Sequence, residues 1–372
     1  MSVIVILCAS SLLLSAAITP LARNFALRTG FLDAPDGRRK LHRSPVPNLG
    51  GIPLLAAFFG SLAAAWVIGP GEESAATKLA PSLLLIFTAG LFDDRYDLKP
   101  LQKLLFQIIA ALAACAAGVR VGFGSDHVLP AWLSWPITVL WLVGCINAIN
   151  FVDAVDGLAA GLGLIASLAT LAAAQLRNDR DLAIMVAPLA AALLGFLPYN
   201  FSPARMFLGD SGSSLIGLLL GCSGAAWMQR SSTPYSAAAP LIALCFPLVD
   251  VCLAIARRAR AGRPIFSPDR QHLQHRLLNL GLGTRRTVLL IYAAGLLAAL
   301  LAVIESASRN IVGAALIPLT LMLIFAALRW LRSAELRNAS AAPHPETSLD
   351  FRETAVHKTI SAVGARKNSP LM

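Results

Sequence analysis

Eleven stretches of this chain are long and apolar enough, or nearly so, to cross a bilayer as helices. They run over residues 3–21, 49–69, 79–92, 101–122, 132–151, 158–176, 182–199, 213–227, 237–256, 288–305 and 311–328. A spanning helix needs about 20 mostly apolar residues. The third and eighth stretches are short and are kept because sharply polar residues flank them. Hydrocarbon offers backbone N–H and C=O groups no partner, so only helices and closed barrels span it. Segments of period-2 alternation are absent, which argues against a barrel. Composition agrees: 56% of the 372 residues are hydrophobic and 14% charged. A soluble chain could not cover such a core with so few polar groups. The expected fold is an all-α integral membrane protein of eleven spans.

The first stretch has no positive residues before it, and Arg23 and Arg28 follow it. A cleaved secretory signal has the opposite polarity. It is read as an uncleaved span with its N-terminus outside. One set of connections comprises residues 22–48, 93–100, 152–157, 200–212, 257–287 and everything from 329. With Lys103, it holds 25 of the 31 Lys and Arg. The positive-inside rule makes that set cytoplasmic, with the C-terminus inside. The net charge of +11 is then mostly a topology signal. Nucleic acid is not expected as a partner, because no basic patch is interleaved with aromatics. The six cysteines all fall within spans, form no CxxC pair, and read as packing residues. Residues 1–330 are expected to form one polytopic unit and 331–372 a disordered cytoplasmic tail.

Acids collect on the cytoplasmic side. Asp93, Asp94, Asp97, Asp153, Asp156, Asp210, Asp250 and Asp269 come from four connections or span ends. Carboxylates beside hydrocarbon are expensive and persist mainly where they bind or react. Adjacent Asp93 and Asp94 repel each other, which calls for a cation or a proton between them, or for a helix-capping role. Asn147, Asn150, Asp153 and Asp156 recur every three residues and so would share one helical face. Glycines flank Asp210 and could aim its carboxylate in a tight turn, with Ser211 or Ser213 capping the eighth span. Phe207 suits either membrane packing or base stacking. In the first loop, Lys40 precedes two prolines and the Gly50–Gly51 pair, a setting fit for a phosphate. His272 and His275, beside Arg276, share a helical face and suit phosphate more than zinc, which lacks further ligands nearby.

Taken together and in order from Lys40 to Arg276, these five loops resemble the polyprenyl-phosphate N-acetylhexosamine-1-phosphate transferase family, glycosyltransferase family 4. The likeness is to the GlcNAc-type, teichoic-acid and O-antigen initiating branch. The resemblance implies transfer of a HexNAc-1-phosphate from a UDP-N-acetylhexosamine to undecaprenyl phosphate, with release of UMP. The product would be the first lipid-linked intermediate of a cell-surface polysaccharide. It implies a multi-pass protein of the bacterial inner membrane with a cytoplasmic active site. By resemblance, Asp93, Asp94, Asp153 and Asp156 are the catalytic acids. Asp210, Asn150 and Asp94 would hold Mg²⁺, for which Mn²⁺ is a chemical substitute. Lys40, Asn147, Asn150, Phe207, His272, His275 and Arg276 would bind substrates, with Phe207 stacked on uracil. A homodimer is among the open oligomeric states.

Two positions depart from the family pattern. Ala154 stands where glycine is usual, and Gln274 replaces the middle histidine of His-x-His-His. The His-His-His-Phe-Glu pattern of the lipid I branch is absent, which disfavours the alternative of a phospho-MurNAc-pentapeptide translocase. A CDP-alcohol phosphotransferase would need a downstream arginine and two spaced aspartates that do not follow Asp156-Gly157. A non-enzymatic ion-coupled transporter would place charges near the midplane and show repeats, and neither pattern is seen.

Overall fold

The structure is a computed structural model that describes residues 2–34, 44–68, 75–122, 129–231, 233, 235–264, 271–308 and 311–341. The chain divides into two units, Met1–Met322 and Leu323–Met372. The helices are α1 (Ser2–Thr29), α2 (Gly51–Ile68), α3 (Ala75–Lys78), α4 (Ala80–Tyr96), α5 (Pro100–Ala116), α6 (Ala131–Val152) and α7 (Leu158–Leu176). There follow α8 (Arg180–Asn200), α9 (Gly209–Gln229), a 3₁₀ turn (Ser236–Ala238), α10 (Ala239–Ala243), α11 (Cys245–Arg260), α12 (Leu273–Asn279), α13 (Thr284–Ala307) and α14 (Ile311–Ala341). Two short antiparallel strands, β1 (Leu32–Asp33) and β2 (Val46–Pro47), are the only sheet among the described residues.

Each of the eleven apolar stretches coincides with a helix or a bent pair of helices. Among the described residues, eight helices are long and apolar enough to cross a membrane, and the bent pair makes a ninth candidate. The helices α4 and α5, at 17 residues each, fall just short. The predicted ninth span is broken: its two halves meet at 74°. Pro247 explains the break. It cannot donate a backbone hydrogen bond, and its ring collides with the carbonyl four residues back, at Ala243, where α10 ends. In the second unit the described residues continue α14 as far as Ala341. The remainder of the predicted tail lies outside the described residues.

Within the first unit, α9 is the innermost helix, packed against α6, α4, α7, α2 and α8. Its sequence explains the position. Glycine and serine recur along it, and small side chains let helix backbones approach closely where lipid supplies no hydrophobic drive. A Cβ on Gly217 would stand 2.6 Å from the Ile146 Cα of α6, and one on Gly90 of α4 would stand 2.5 Å from the Ser211 Cα. The second contact carries the C-terminal end of α4, with Asp93 and Asp94, against the first turn of α9.

Candidate active site

The first turn of α9 is the centre of the candidate site. Gly209 adopts φ +73°, and a Cβ there would meet the Asp94 carboxylate at 2.7 Å. Only glycine satisfies both constraints. The open N-terminal end of α9 is capped from another helix: Asp94 Oδ1 accepts the Asp210 backbone N–H at 2.7 Å, and Oδ2 accepts the Ser211 N–H at 3.1 Å. The Ser211 hydroxyl donates to Oδ2 at 2.9 Å and the Asn48 amide to Oδ1 at 3.0 Å. Ser211 thus assists the cap without forming it, and Ser213 receives the Asn150 amide instead. The two Asp94 oxygens already serve four donors. A carboxylate accepts about that many. Of the roles open to Asp94 on sequence, helix capping is the one these contacts fill.

Asp210 projects from that turn into a small polar knot. Asn150, one turn from the end of α6, donates to Asp210 Oδ1 at 2.6 Å and to the Ser213 hydroxyl at 3.0 Å. Lys103, in the first turn of α5, reaches Asp210 Oδ2 at 3.1 Å and pairs with Asp93. Asp93 Oδ1 accepts the Leu98 backbone N–H at 2.9 Å. Asp93 and Asp94 lie past Phe92, the end of the apolar stretch. Burial first, and the Asp210 carboxylate second, push both above the usual carboxylate range. Asp153, just beyond the end of α6, is likewise held well above it by burial and by Asp210, Asp94 and Asp156. Asp93 and Asp210 share the single Lys103 ammonium, and the crowding of carboxylates around Asp210 favours a bound cation or a proton among them.

The other predicted residues are distributed around this knot. Asn147 is one turn further back on α6 and donates to Gln107 Oε1 at 2.7 Å. The three-residue spacing ends there as a helical face, because α6 stops at Val152. Asp153 caps the helix, and Asp156 lies in the following turn, where its Oδ2 accepts the Ala204 N–H at 3.0 Å. That bond holds the connection before α9. Phe207, half-buried on the same connection, donates its N–H to the Pro47 carbonyl at 2.8 Å and accepts from the Gly50 N–H at 3.0 Å. His272 stands before α12 with extended backbone, so it and His275 do not share a helical face as their spacing suggests. Burial and nearby His272 hold His275 below the usual histidine value, with Asp250 opposing. Gln274, at the departure from the family pattern, donates to the Phe151 carbonyl at 2.9 Å. Arg276 lies on α12. Lys40 and Asp269 lie outside the described residues.

Sequence reasoning left Lys103, Asn48 and Gln107 out of the site. Lys103 carries the clearest overlooked signal: a cation in the first turn of an apolar helix, six residues after Asp97. Among the described residues no three His, Cys, Asp or Glu side chains converge as a metal cage.

The sequence pattern of glycosyl transferase family 4 matches residues 77–227, which include Asp93, Asp94, Lys103, Asn150 and Asp210. A Bacillus subtilis protein named "Probable undecaprenyl-phosphate N-acetylglucosaminyl 1-phosphate transferase" is 36% identical over 321 residues, covering 85% of this chain and 86% of that one. The decaprenyl-phosphate N-acetylglucosaminephosphotransferase of Mycobacterium tuberculosis is 39% identical over 301 residues, covering 73% and 74%. The undecaprenyl-phosphate alpha-N-acetylglucosaminyl 1-phosphate transferase of Escherichia coli K12 is 28% identical over 290 residues, covering 75% and 78%. Likeness of this extent, over both the knot and most of the chain, is that of shared descent: the chain belongs to glycosyl transferase family 4, the polyprenyl-phosphate N-acetylhexosamine-1-phosphate transferases that its loops resemble.

Proposed function

We propose that this protein transfers GlcNAc-1-phosphate from UDP-GlcNAc to undecaprenyl phosphate, releasing UMP, at the cytoplasmic face of a bacterial inner membrane. The observation that carries the reading is the knot of Asp93, Lys103, Asn150 and Asp210 at the capped end of α9. The names of the relatives support the same chemistry. The product would enter a cell-surface polysaccharide as its first lipid-linked intermediate. The eleven-span arrangement, with the N-terminus outside and the C-terminus inside, puts every residue of the knot on one side.

Attack of one phosphate on a pyrophosphate brings several negative charges together, and catalysis rests on positioning and electrostatic stabilisation. The residues present fit Mg²⁺. Two carboxylates, Asp93 and Asp210, share one ammonium, and Mg²⁺ is commonly held by one or two carboxylates plus substrate phosphates, without an all-protein cage. Asp210 and Asp93 would hold it, with the Asn150 oxygen beside them, while Asp94 holds the turn that aims Asp210. When bound, the ion neutralises pyrophosphate charge and eases departure of UMP. Lys103 supplies a second positive charge within reach of the same oxygens. The attacking lipid phosphate is already anionic near neutral pH, so direct displacement needs no covalent enzyme intermediate. Phe207 offers an aromatic face for uracil, and Asp153 and Asp156 border the nucleotide.

The test is release of UMP from radiolabelled UDP-sugars by purified protein with undecaprenyl phosphate. We expect transfer from UDP-GlcNAc exceeding that from other UDP-HexNAcs, abolished by EDTA and restored by Mg²⁺ or Mn²⁺. Undiminished transfer in EDTA would remove the metal, and no transfer from any UDP-HexNAc would remove the reaction.

A further inference from the structure

Asp250 lies on α11 with 0% exposure, and the proposed chemistry does not use it. Both of its oxygens are nonetheless committed. Its Oδ2 stands 2.6 Å from His272 Nδ1, and its Oδ1 accepts the Leu273 backbone N–H at 2.8 Å. His272 is buried as well, with its ring centroid 5.4 Å from that of Phe151. Arg258 of α11 lies over the same Phe151 ring, 5.8 Å from its centroid. Gln274 bonds the Phe151 carbonyl. Residues 272–274 are therefore held between α11 and the end of α6, and Phe151 adjoins the Asn150 that orients Asp210.

A buried carboxylate is costly unless donors compensate it. This one takes one backbone N–H and one imidazole nitrogen, at the short separation of a charge-assisted bond. An ionised carboxylate can only accept, so His272 carries a proton on Nδ1. Nε2 remains as the ring nitrogen with no protein partner among the described residues.

We propose that Asp250 is a positioning residue for the phosphotransfer reaction: it fixes the protonation pattern and orientation of His272 so that Nε2 faces the nucleotide-sugar donor. This rests on the reaction proposed above.

The informative variant is Asp250→Asn. The Leu273 N–H needs the single amide oxygen, which turns the NH₂ toward His272 Nδ1. The ring then accepts there and carries its proton on Nε2. The shape of the site is kept and the histidine is set the wrong way round. We expect kcat/KM for UDP-GlcNAc to fall about 10- to 100-fold, the scale on which losing the partner that orients a metal-bound histidine lowers activity. KM for undecaprenyl phosphate and the unfolding temperature should stay at the wild-type values. Asp250→Asn combined with His272→Gln should be no worse than His272→Gln alone, and Asp250→Glu should recover part of the loss. ¹⁵N spectra of histidine-labelled protein should place the His272 proton on Nδ1 in the wild type and on Nε2 in Asp250→Asn. Losses that multiply in the double variant, or that track a lowered unfolding temperature, would overturn the proposal. If the wild-type chain turned over no UDP-GlcNAc, the reaction would fall. The ¹⁵N spectra need no turnover and would still judge the pair, since a wild-type His272 protonated only on Nε2 refutes it.

Discussion

At the scale of residues, neighbouring aspartates have taken opposite tasks. Asp94 is saturated by donors and anchors the first turn of α9, whereas Asp93 turns to Lys103. Asp210 depends on both arrangements, since its backbone is held by Asp94 and its side chain by Asn150 and Lys103. This division predicts a contrast. Asp210→Asn should lower transfer by about 100-fold or more, the scale of losing one preorganised electrostatic group at a reacting centre. It should leave the unfolding temperature nearly unchanged, because crowding among the carboxylates is relieved. Asp94→Asn should destabilise the fold by about 1–3 kcal/mol, because a carboxamide cannot accept all the donors that α9, Ser211 and Asn48 present. Thermal unfolding beside initial rates separates the two, and equal stability in both variants would contradict the capping role. The clustering of these acids was legible from their place in the loops, and the capping alternative for the adjacent pair was visible too. Which of the two would cap was not, since both have the same chemistry and differ only in the direction each leaves α4.

Among the helices, the small-residue face of α9 decides how near α4 and α6 can come, and so how near Asp94 and Asn150 lie to Asp210. Gly217→Ala would push a methyl into the backbone of α6 at Ile146. Overpacking of this kind costs about 1–3 kcal/mol. We expect a lowered unfolding temperature together with reduced transfer, as the knot opens. Gly144→Ala is the control on α6 itself: nothing lies within 4 Å of its Cβ position, and both readouts should match the wild type. A neutral Gly217→Ala would show that α6 and α9 can separate without cost. Helix existence was readable here from apolar length. The 74° break was not read, although Pro247 stood in the sequence, because proline in an apolar run is compatible with either a kink or an ended helix. Helix ends also misled. The spacing of Asn147, Asn150, Asp153 and Asp156 suggested one continuous face, but α6 ends at Val152, and Asp156 was free to bond Ala204 instead.

For the whole molecule, the distribution of Lys and Arg predicts an orientation, N-terminus outside and C-terminus inside, that can be checked directly. Reporter fusions after residues 69, 123 and 178 should be active only as external reporters, and a fusion after residue 341 only as an internal one. An external C-terminus would require an even number of spans and would overturn the orientation. The same scale shows what a chain like this declares by itself. Apolar length and scarce charge fix the all-helical membrane class, because hydrocarbon leaves the backbone no alternative partner. Loop motifs in order declare the family, because the chemistry needs those acids and amides wherever the helices run. Tertiary structure alone decided that Lys103, Asn48 and Gln107 enter the site, that Asp94 caps a helix over a hundred residues away in sequence, and that Asp250 holds His272. Each of these is a contact between distant segments. It depends on the rotation of one helix against another, which side-chain packing across the interface sets and no local pattern encodes.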